Sequence, residues 1–168
     1  MTATVASGRS TLDQVEAEIR EVSPESAVGR SCLASYFREL SERFEGGCDL
    51  DDADPSIREE MTPPRGFFLV ASLGDRPAGC VGLKRLDEST GELKRMWTAP
   101  AARGRGIARR LLREVEARAR QAGFERVRLD TNRVLAEAHA FYRSEGFIEI
   151  ARYNANPYAH HWFEKLLC

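Results

Sequence analysis

The stretch ARGRGIARRLL, residues 102–112, sets four arginines and two glycines where an apolar-striped segment begins. A helix start presents backbone N–H groups with no partner inside the helix and carries about half a positive charge. Gly104 and Gly106 let the backbone curl and approach a ligand with no Cβ in the way. Donors converging on one anion form a phosphate cradle, to which Arg103 and Arg105 add side-chain charge. Each hydrogen bond to a charged group contributes on the order of 1.5–3 kcal/mol, so a few such donors suffice to hold a pyrophosphate.

Two known phosphate patterns can be compared with this stretch. A Walker loop needs a lysine followed by Ser or Thr after its second glycine, and neither is present. A GxGxxG dinucleotide loop has its first two glycines here, but Arg109 stands at the third position. Asp130 lies at a suitable distance for a ribose contact, so a nucleotide-dependent enzyme stays open at this point. Other chemistry-bearing residues point less far. His160 and His161 have no third ligand at suitable spacing, so no metal is expected and solvent exposure or a substrate contact is the reading. His139 reads as structural and Cys80 as core. Arg109, Arg110, Arg113 and Arg120 mostly lie opposite the apolar stripe, among Glu114 and Glu116 and without an aromatic platform. They read as a solvated face, not a nucleic-acid surface.

The elements that must position these residues follow from composition and periodicity. The chain has 168 residues, 42% hydrophobic and 30% charged, which fits one globular domain over 1–168 with residues 1–12 as a flexible lead. Its net charge of −1 gives no overall field for nucleic acid or membrane. Charge is nonetheless segregated: residues 49–60 hold six acidic residues and one arginine, and residues 103–120 hold seven arginines and two glutamates. No apolar run approaches the ~20 residues of a membrane helix, and MTATVASGRSTL lacks the apolar segment of a secretory signal. Cys32, Cys48, Cys80 and Cys168 are far apart and form no CxxC pair, so a reduced, cytoplasmic protein is expected.

Period-two alternation predicts strands over 15–23, 67–73, 78–86, 92–98, FERVRLDT, FIEIARY and HWFEKLL. Helical spacing predicts helices over 24–47, 107–121 and RVLAEAHAFYRSEG, with a short one near 60 after an acidic loop. Strands run consecutively around few helices, so an α+β domain is expected: one mixed, mostly antiparallel sheet of six to seven strands flanked by helices. In 92–98 simple alternation puts Glu92, Lys94, Met96 and Thr98 on one face.

ARGRGIARRLL resembles the R/Q-x-x-G-x-G/A signature of the GNAT N-acetyltransferases, with Arg103, Gly106 and Ala108 in the defining positions. AHAFYRSEGF resembles that family's YxxxGF segment, with Tyr142, Gly146 and Phe147 in place. The resemblance is specific from Gly91 to Phe147. It implies that the anion is the pyrophosphate of coenzyme A, held by Arg103, Gly104, Arg105, Gly106, Ile107, Ala108 and Arg109, and that acetyl-CoA is the cosubstrate with no metal. It further implies direct attack by a small-molecule or peptide amine, with Tyr142 as general acid and Glu92 as candidate general base. Met96 and Trp97 map to a strand bulge that frees main-chain donors for an oxyanion. Trp97 and Thr98 would line the pantetheine arm, which pairs with a strand edge.

Asn132 is either a helix N-cap or a contact to the coenzyme arm, and Arg143 either meets the 3′-phosphate or is solvated. The asparagine often found seven residues before the tyrosine is Leu135 here, a departure from the family. Asp49, Asp51, Asp52 and Asp54 either attract a cationic amine or form a solvated loop. Tyr153, Asn156 and Tyr158 are candidates to shape the acceptor pocket. Two rival readings remain beside the enzyme: a non-catalytic acyl-CoA-binding regulatory module, and the nucleotide-dependent enzyme. Oligomeric state, a homodimer included, is not readable from the chain.

Overall fold

The computed structural model describes residues 15–48 and 55–168. The lead 1–12 and the acidic residues Asp49, Asp51, Asp52 and Asp54 lie outside the described residues. The elements run β1 (Glu18–Glu21), α1 (Ala27–Arg43), α2 (Pro55–Glu60), β2 (Gly66–Leu73), β3 (Arg76–Arg85), β4 (Thr90–Thr98), a short turn of 3-10 helix (Pro100–Ala102), α3 (Ile107–Gln121), β5 (Arg126–Thr131), α4 (Ala136–Ser144), β6 (Ile148–Ile150) and β7 (His161–Leu166). The strands form one seven-stranded sheet in the order β1-β2-β3-β4-β5-β7-β6. Only β4 and β5 pair in parallel; every other neighbour pair is antiparallel. The connection between the parallel strands is α3, as a crossover requires.

Both faces of the central sheet are buried, and the period of two decides which residue goes where. Along β2, Leu69 and Ala71 join the cluster built on Ile107, Leu111, Leu112 and Val115 of α3. Phe68 and Val70, between them in sequence, join Cys32, Leu33 and Phe37 of α1. Leu111 and Leu112 are fully buried, worth about 1.5–3 kcal/mol each in apolar transfer. Helix α1 starts where Ser26 Oγ accepts from the Gly29 N–H at 3.1 Å. Helix α3 spans the residues its spacing predicts, and Gly123, at φ +84°, ends it.

Three expectations are corrected. In β4 the register jumps from Gly82↔Lys94 to Cys80↔Trp97, so Arg95 and Met96 together oppose Val81. This bulge turns Met96 toward the cluster that holds Leu93 and Trp97 toward the α1 cluster. Glu92, Lys94 and Met96 therefore do not share a face, because an inserted residue reverses the alternation beyond it. Asn132 is not the N-cap of α4, a position held by Leu135 without a side-chain cap. The strand expected over FIEIARY is confined to Ile148–Ile150, since Asn154 and Asn156 bond Asp130 and draw the chain away from β7.

Helix α3 approaches the sheet closely at Gly79. A Cβ there would lie 2.7 Å from the Trp97 carbonyl oxygen, 3.1 Å from Ile107 Cγ2 and 3.2 Å from Leu111 Cδ1. Gly79→Ala is expected to cost about 1–3 kcal/mol by overpacking, measured by chemical denaturation. An unchanged midpoint would show that α3 and β4 can part freely at this point.

Candidate active site

The pairing of β4 with β5 is short. Thr90↔Arg126, Gly91↔Val127 and Glu92↔Arg128 are in register, and beyond them β5 continues only against β7. The two strands part past Glu92, and a cavity of about 90 Å³ opens between them. Lys94, Arg95 and Met96 of β4 form one wall, Asp130 and Thr131 of β5 the other, and Tyr36 of α1 and Tyr142 of α4 close it. A second cavity of about 300 Å³ shares Tyr36, Leu40, Met96, Leu135, Ala138 and Tyr142 with the first. A third, of about 290 Å³, shares Thr98, Arg103, Ala108 and Phe141 with the second. The three adjoin in one channel, with Tyr142 where the first two meet.

At the outer end lies the glycine–arginine turn. Gly104 and Gly106 have φ of +78° and +75°, a left-handed backbone that favours glycine. A Cβ at either would meet nothing within 4 Å, so the turn is an open cradle and not a packed corner. Gly106 is the N-cap of α3 and offers no side chain to cap it. The first intrahelical bond runs from the Arg110 N–H to the Gly106 carbonyl at 3.1 Å, so the N–H groups of Ile107, Ala108 and Arg109 precede it and have no helical acceptor. The residues present fit an anion such as a pyrophosphate.

The arginines around the cradle are oriented by carboxylates. Arg103 donates to both oxygens of Glu39 at 2.7 Å and to the Thr98 carbonyl at 3.2 Å. Glu39 also accepts from the Trp97 indole N–H at 2.9 Å, so one α1 carboxylate aligns two channel walls. Arg109 pairs with Glu145 at 2.5 Å. Arg143 pairs with Glu149 at 2.7 Å and lies over the Phe163 ring, lining none of the three cavities. The structure thus brings Met96, Trp97, Thr98, Arg103, Gly104, Gly106, Ile107, Ala108, Arg109 and Tyr142 to the channel and leaves Arg143 off it. Arg105 lies outside these three cavities, beside Val15 and Arg110.

Tyr142 is buried, packed edge-on against Phe147 at 5.5 Å between centroids and near Phe141 and Phe163. Burial, reinforced by Tyr36 and the negative charge of Asp130, pushes its phenol well above the ordinary value. It therefore holds its proton throughout the physiological range. Tyr36 is raised by burial too, against an opposing effect of Arg95.

Glu92 lies behind the channel wall, not on it. It is 2% exposed and contacts Lys94 Nζ, whose ammonium also reaches Asp130 Oδ2 at 3.4 Å. Asp130 does line the first cavity. It accepts from Asn154 Nδ2 at 2.5 Å and Asn156 Nδ2 at 3.2 Å, and Asn154 in turn accepts from the Trp162 indole at 2.9 Å. Asp130 sits away from the cradle, so the dinucleotide reading loses its ribose carboxylate. Asn132 lines the first cavity too, with its side chain accepting from the Val134 N–H at 3.0 Å and donating to the Tyr158 carbonyl at 2.7 Å. His139 is buried with Nε2 at 2.9 Å from the Asn132 carbonyl, and burial holds its pKa below the usual value. No group of three metal-ligating side chains occurs among the described residues. Nor, among them, is any helix long and apolar enough to cross a membrane.

Sequence reasoning missed Tyr36 and Glu39, whose helical spacing marks only an amphipathic helix. It gave Lys94 and Arg95 no role, because the resemblance set the bulge at Met96 and Trp97, a residue beyond where it begins.

Residues 33–147 match the Acetyltransferase (GNAT) family. Over 93 residues the chain is 42% identical to IAA acetyltransferase of Azospirillum brasilense, covering 54% of this chain and 60% of that protein. The chain spans about 60% of the length of the first curated relatives it matches. The fold is shared with an acetyltransferase of the GNAT family from Staphylococcus aureus, at a TM-score of 0.77 and 21% identity, over 91% of this chain and 100% of that one. It is also shared with an aminoglycoside 6′-N-acetyltransferase complexed with coenzyme A, at a TM-score of 0.70 and 19% identity, over 90% and 97% of the two chains. With the family's glycine turn opening onto a channel that passes Tyr142, and with most of the chain matching that family, the protein is a member of the GNAT acetyltransferases.

Proposed function

We propose that the protein moves the acetyl group of acetyl-CoA to a primary amine of a small molecule or peptide. The observation that carries this reading is the continuous channel from the Gly104–Gly106 cradle, past Met96, Trp97 and Thr98, to the buried Tyr142 hydroxyl. A solved neighbour of the same fold is complexed with coenzyme A. When bound, acetyl-CoA supplies the activated acetyl thioester. The N–H groups at the start of α3 hold its pyrophosphate, and the rim of β4 between Met96 and Thr98 receives the pantetheine arm. Met96, displaced from the β3–β4 ladder by the bulge, offers a main-chain donor to the carbonyl oxygen as charge develops there.

Proton handling falls to three residues. Tyr142 donates to the departing thiolate, whose acid has a pKa near ~8.5. An alkyl ammonium near pKa ~10.4 costs roughly 4–5 kcal/mol to deprotonate at neutral pH. Asp130, on the cavity wall, receives that proton, and Glu92 acts as a positioning residue by holding Lys94 between the two carboxylates.

Three outcomes test this reading. Calorimetric titration with acetyl-CoA should give heat that Gly106→Glu weakens at least tenfold, about 1.4 kcal/mol, because a carboxylate enters the cradle at a positive φ. A signal with NADH in place of acetyl-CoA would overturn the donor. Tyr142→Phe should lower kcat by about 10²–10⁴ while the coenzyme Kd changes less than about threefold; lost binding with normal turnover would sink the acid role. Asp130→Asn should lose activity at pH 7 and recover as pH nears the amine pKa, whereas Glu92→Gln should show a loss independent of pH. The reverse pattern in pH–rate profiles would return the base role to Glu92.

A further inference from the structure

The bulge in β4 carries more than a main-chain donor. Arg95, its inserted residue, is held at φ +58°, a left-handed conformation uncommon for a residue with a side chain. The Cys80 thiol donates to its carbonyl at 3.4 Å, and the Tyr36 and Phe37 rings flank its guanidinium at 5.8 Å and 5.1 Å. Strain, a thiol and two rings together pin one side chain at the wall of the first cavity.

Among the described residues that side chain has no counter-ion. Lys94, the neighbouring cation on the same wall, is paired with Glu92 and Asp130. Arg95 makes no ion pair among the described residues, and its Nε is buried with no acceptor. Arg58 and Arg126 also bury an Nε without an acceptor, but each has a glutamate within 4.0 Å. A half-buried guanidinium without an anion is costly, and the neutral Tyr36 hydroxyl that bonds it supplies no countercharge. The coenzyme phosphates are not that partner, because the two cavities that contain cradle residues do not include Arg95.

We propose that Arg95 binds a carboxylate of the acceptor, so that the substrate is a small aminocarboxylate such as a free amino acid. This rests on the acetyl-transfer reading above and names its acceptor class. One planar guanidinium suits one carboxylate in a two-pronged bond, whereas a phosphate dianion asks for further cations. Asp130 faces the same cavity and receives the ammonium end, so the two charges of a zwitterion meet opposite charges. Leu40, Phe44 and Leu135 give the remaining wall an apolar surface for a side chain. A polyamine would instead set one of its cations against Arg95.

The test measures kcat/KM on the common L-amino acids, each beside its carboxamide and its decarboxylated amine, with acetyl-CoA as donor. The acids should exceed their matched amides at least about tenfold, since a site built for a polar group rejects the analogue that lacks it. Arg95→Gln should raise KM for the acids and erase that preference. Arg95→Gly, which suits the left-handed backbone and keeps the bulge, should do the same. Calorimetry with coenzyme A on each variant checks that the channel is intact. Equal rates on acids and amides, or a preference that survives both variants, overturns the assignment. No turnover of any amine with the coenzyme heat present overturns the carboxylate assignment alone, while absence of that heat from the unmodified protein overturns the donor reading beneath it.

Discussion

The parting of β4 from β5 past Glu92 is the constraint on which the rest of the site depends. A parallel pair that stayed in register to its ends would fill the middle of the sheet with backbone hydrogen bonds and leave no room for a substrate. Here the pair gives out after three residues, and the chain compensates on either side. Antiparallel pairing with β3 and β7 carries the two strands onward, and the α3 and α4 helices cover the gap. Polar backbone freed at such an opening must find other partners, in solvent or in a ligand that enters the channel.

Burying charge at this opening raises a second demand. Glu92 and Asp130 carry two carboxylates into a nearly dry region, where isolated ions are disfavoured by several kcal/mol each. Lys94 lies between them, and Asn154 and Asn156 satisfy Asp130 from a loop 24 to 26 residues away in sequence. The same bonds draw residues 151–160 off the sheet edge and set Asn156 and Tyr158 against the first cavity. One charge network thus both stabilises the parted strands and shapes the inner end of the channel. At the cradle end Glu39 plays a comparable part, joining Trp97 and Arg103 to α1 through hydrogen bonds.

How legible this was in the chain depended on the range of the interaction. Helix α3 and its glycine turn were legible because every signal there is local: the apolar spacing of Ile107, Leu111 and Val115, the glycines before it and Gly123 after it. Tyr142 was legible through a motif of the same short span. Asn132 misled, because a polar residue before a helix is usually a cap, and here the distant Tyr158 carbonyl claimed its amide. The face assignment of Met96 failed because alternation assumes an unbroken strand.

The sequence by itself determined the element types, the order that makes a mixed sheet, the glycine turn before α3 and the family. These follow from periodicity, glycine conformation and residue spacing, all set within a few turns of chain. Tertiary structure alone decided that the bulge takes in Arg95, that Glu92 lies behind Lys94, that Asp130 instead faces the cavity, and that Arg95 has no counter-ion there among the described residues. Register and charge pairing between segments far apart in sequence depend on which side chains compete for the same buried space, and that competition exists only once the sheet has closed around it.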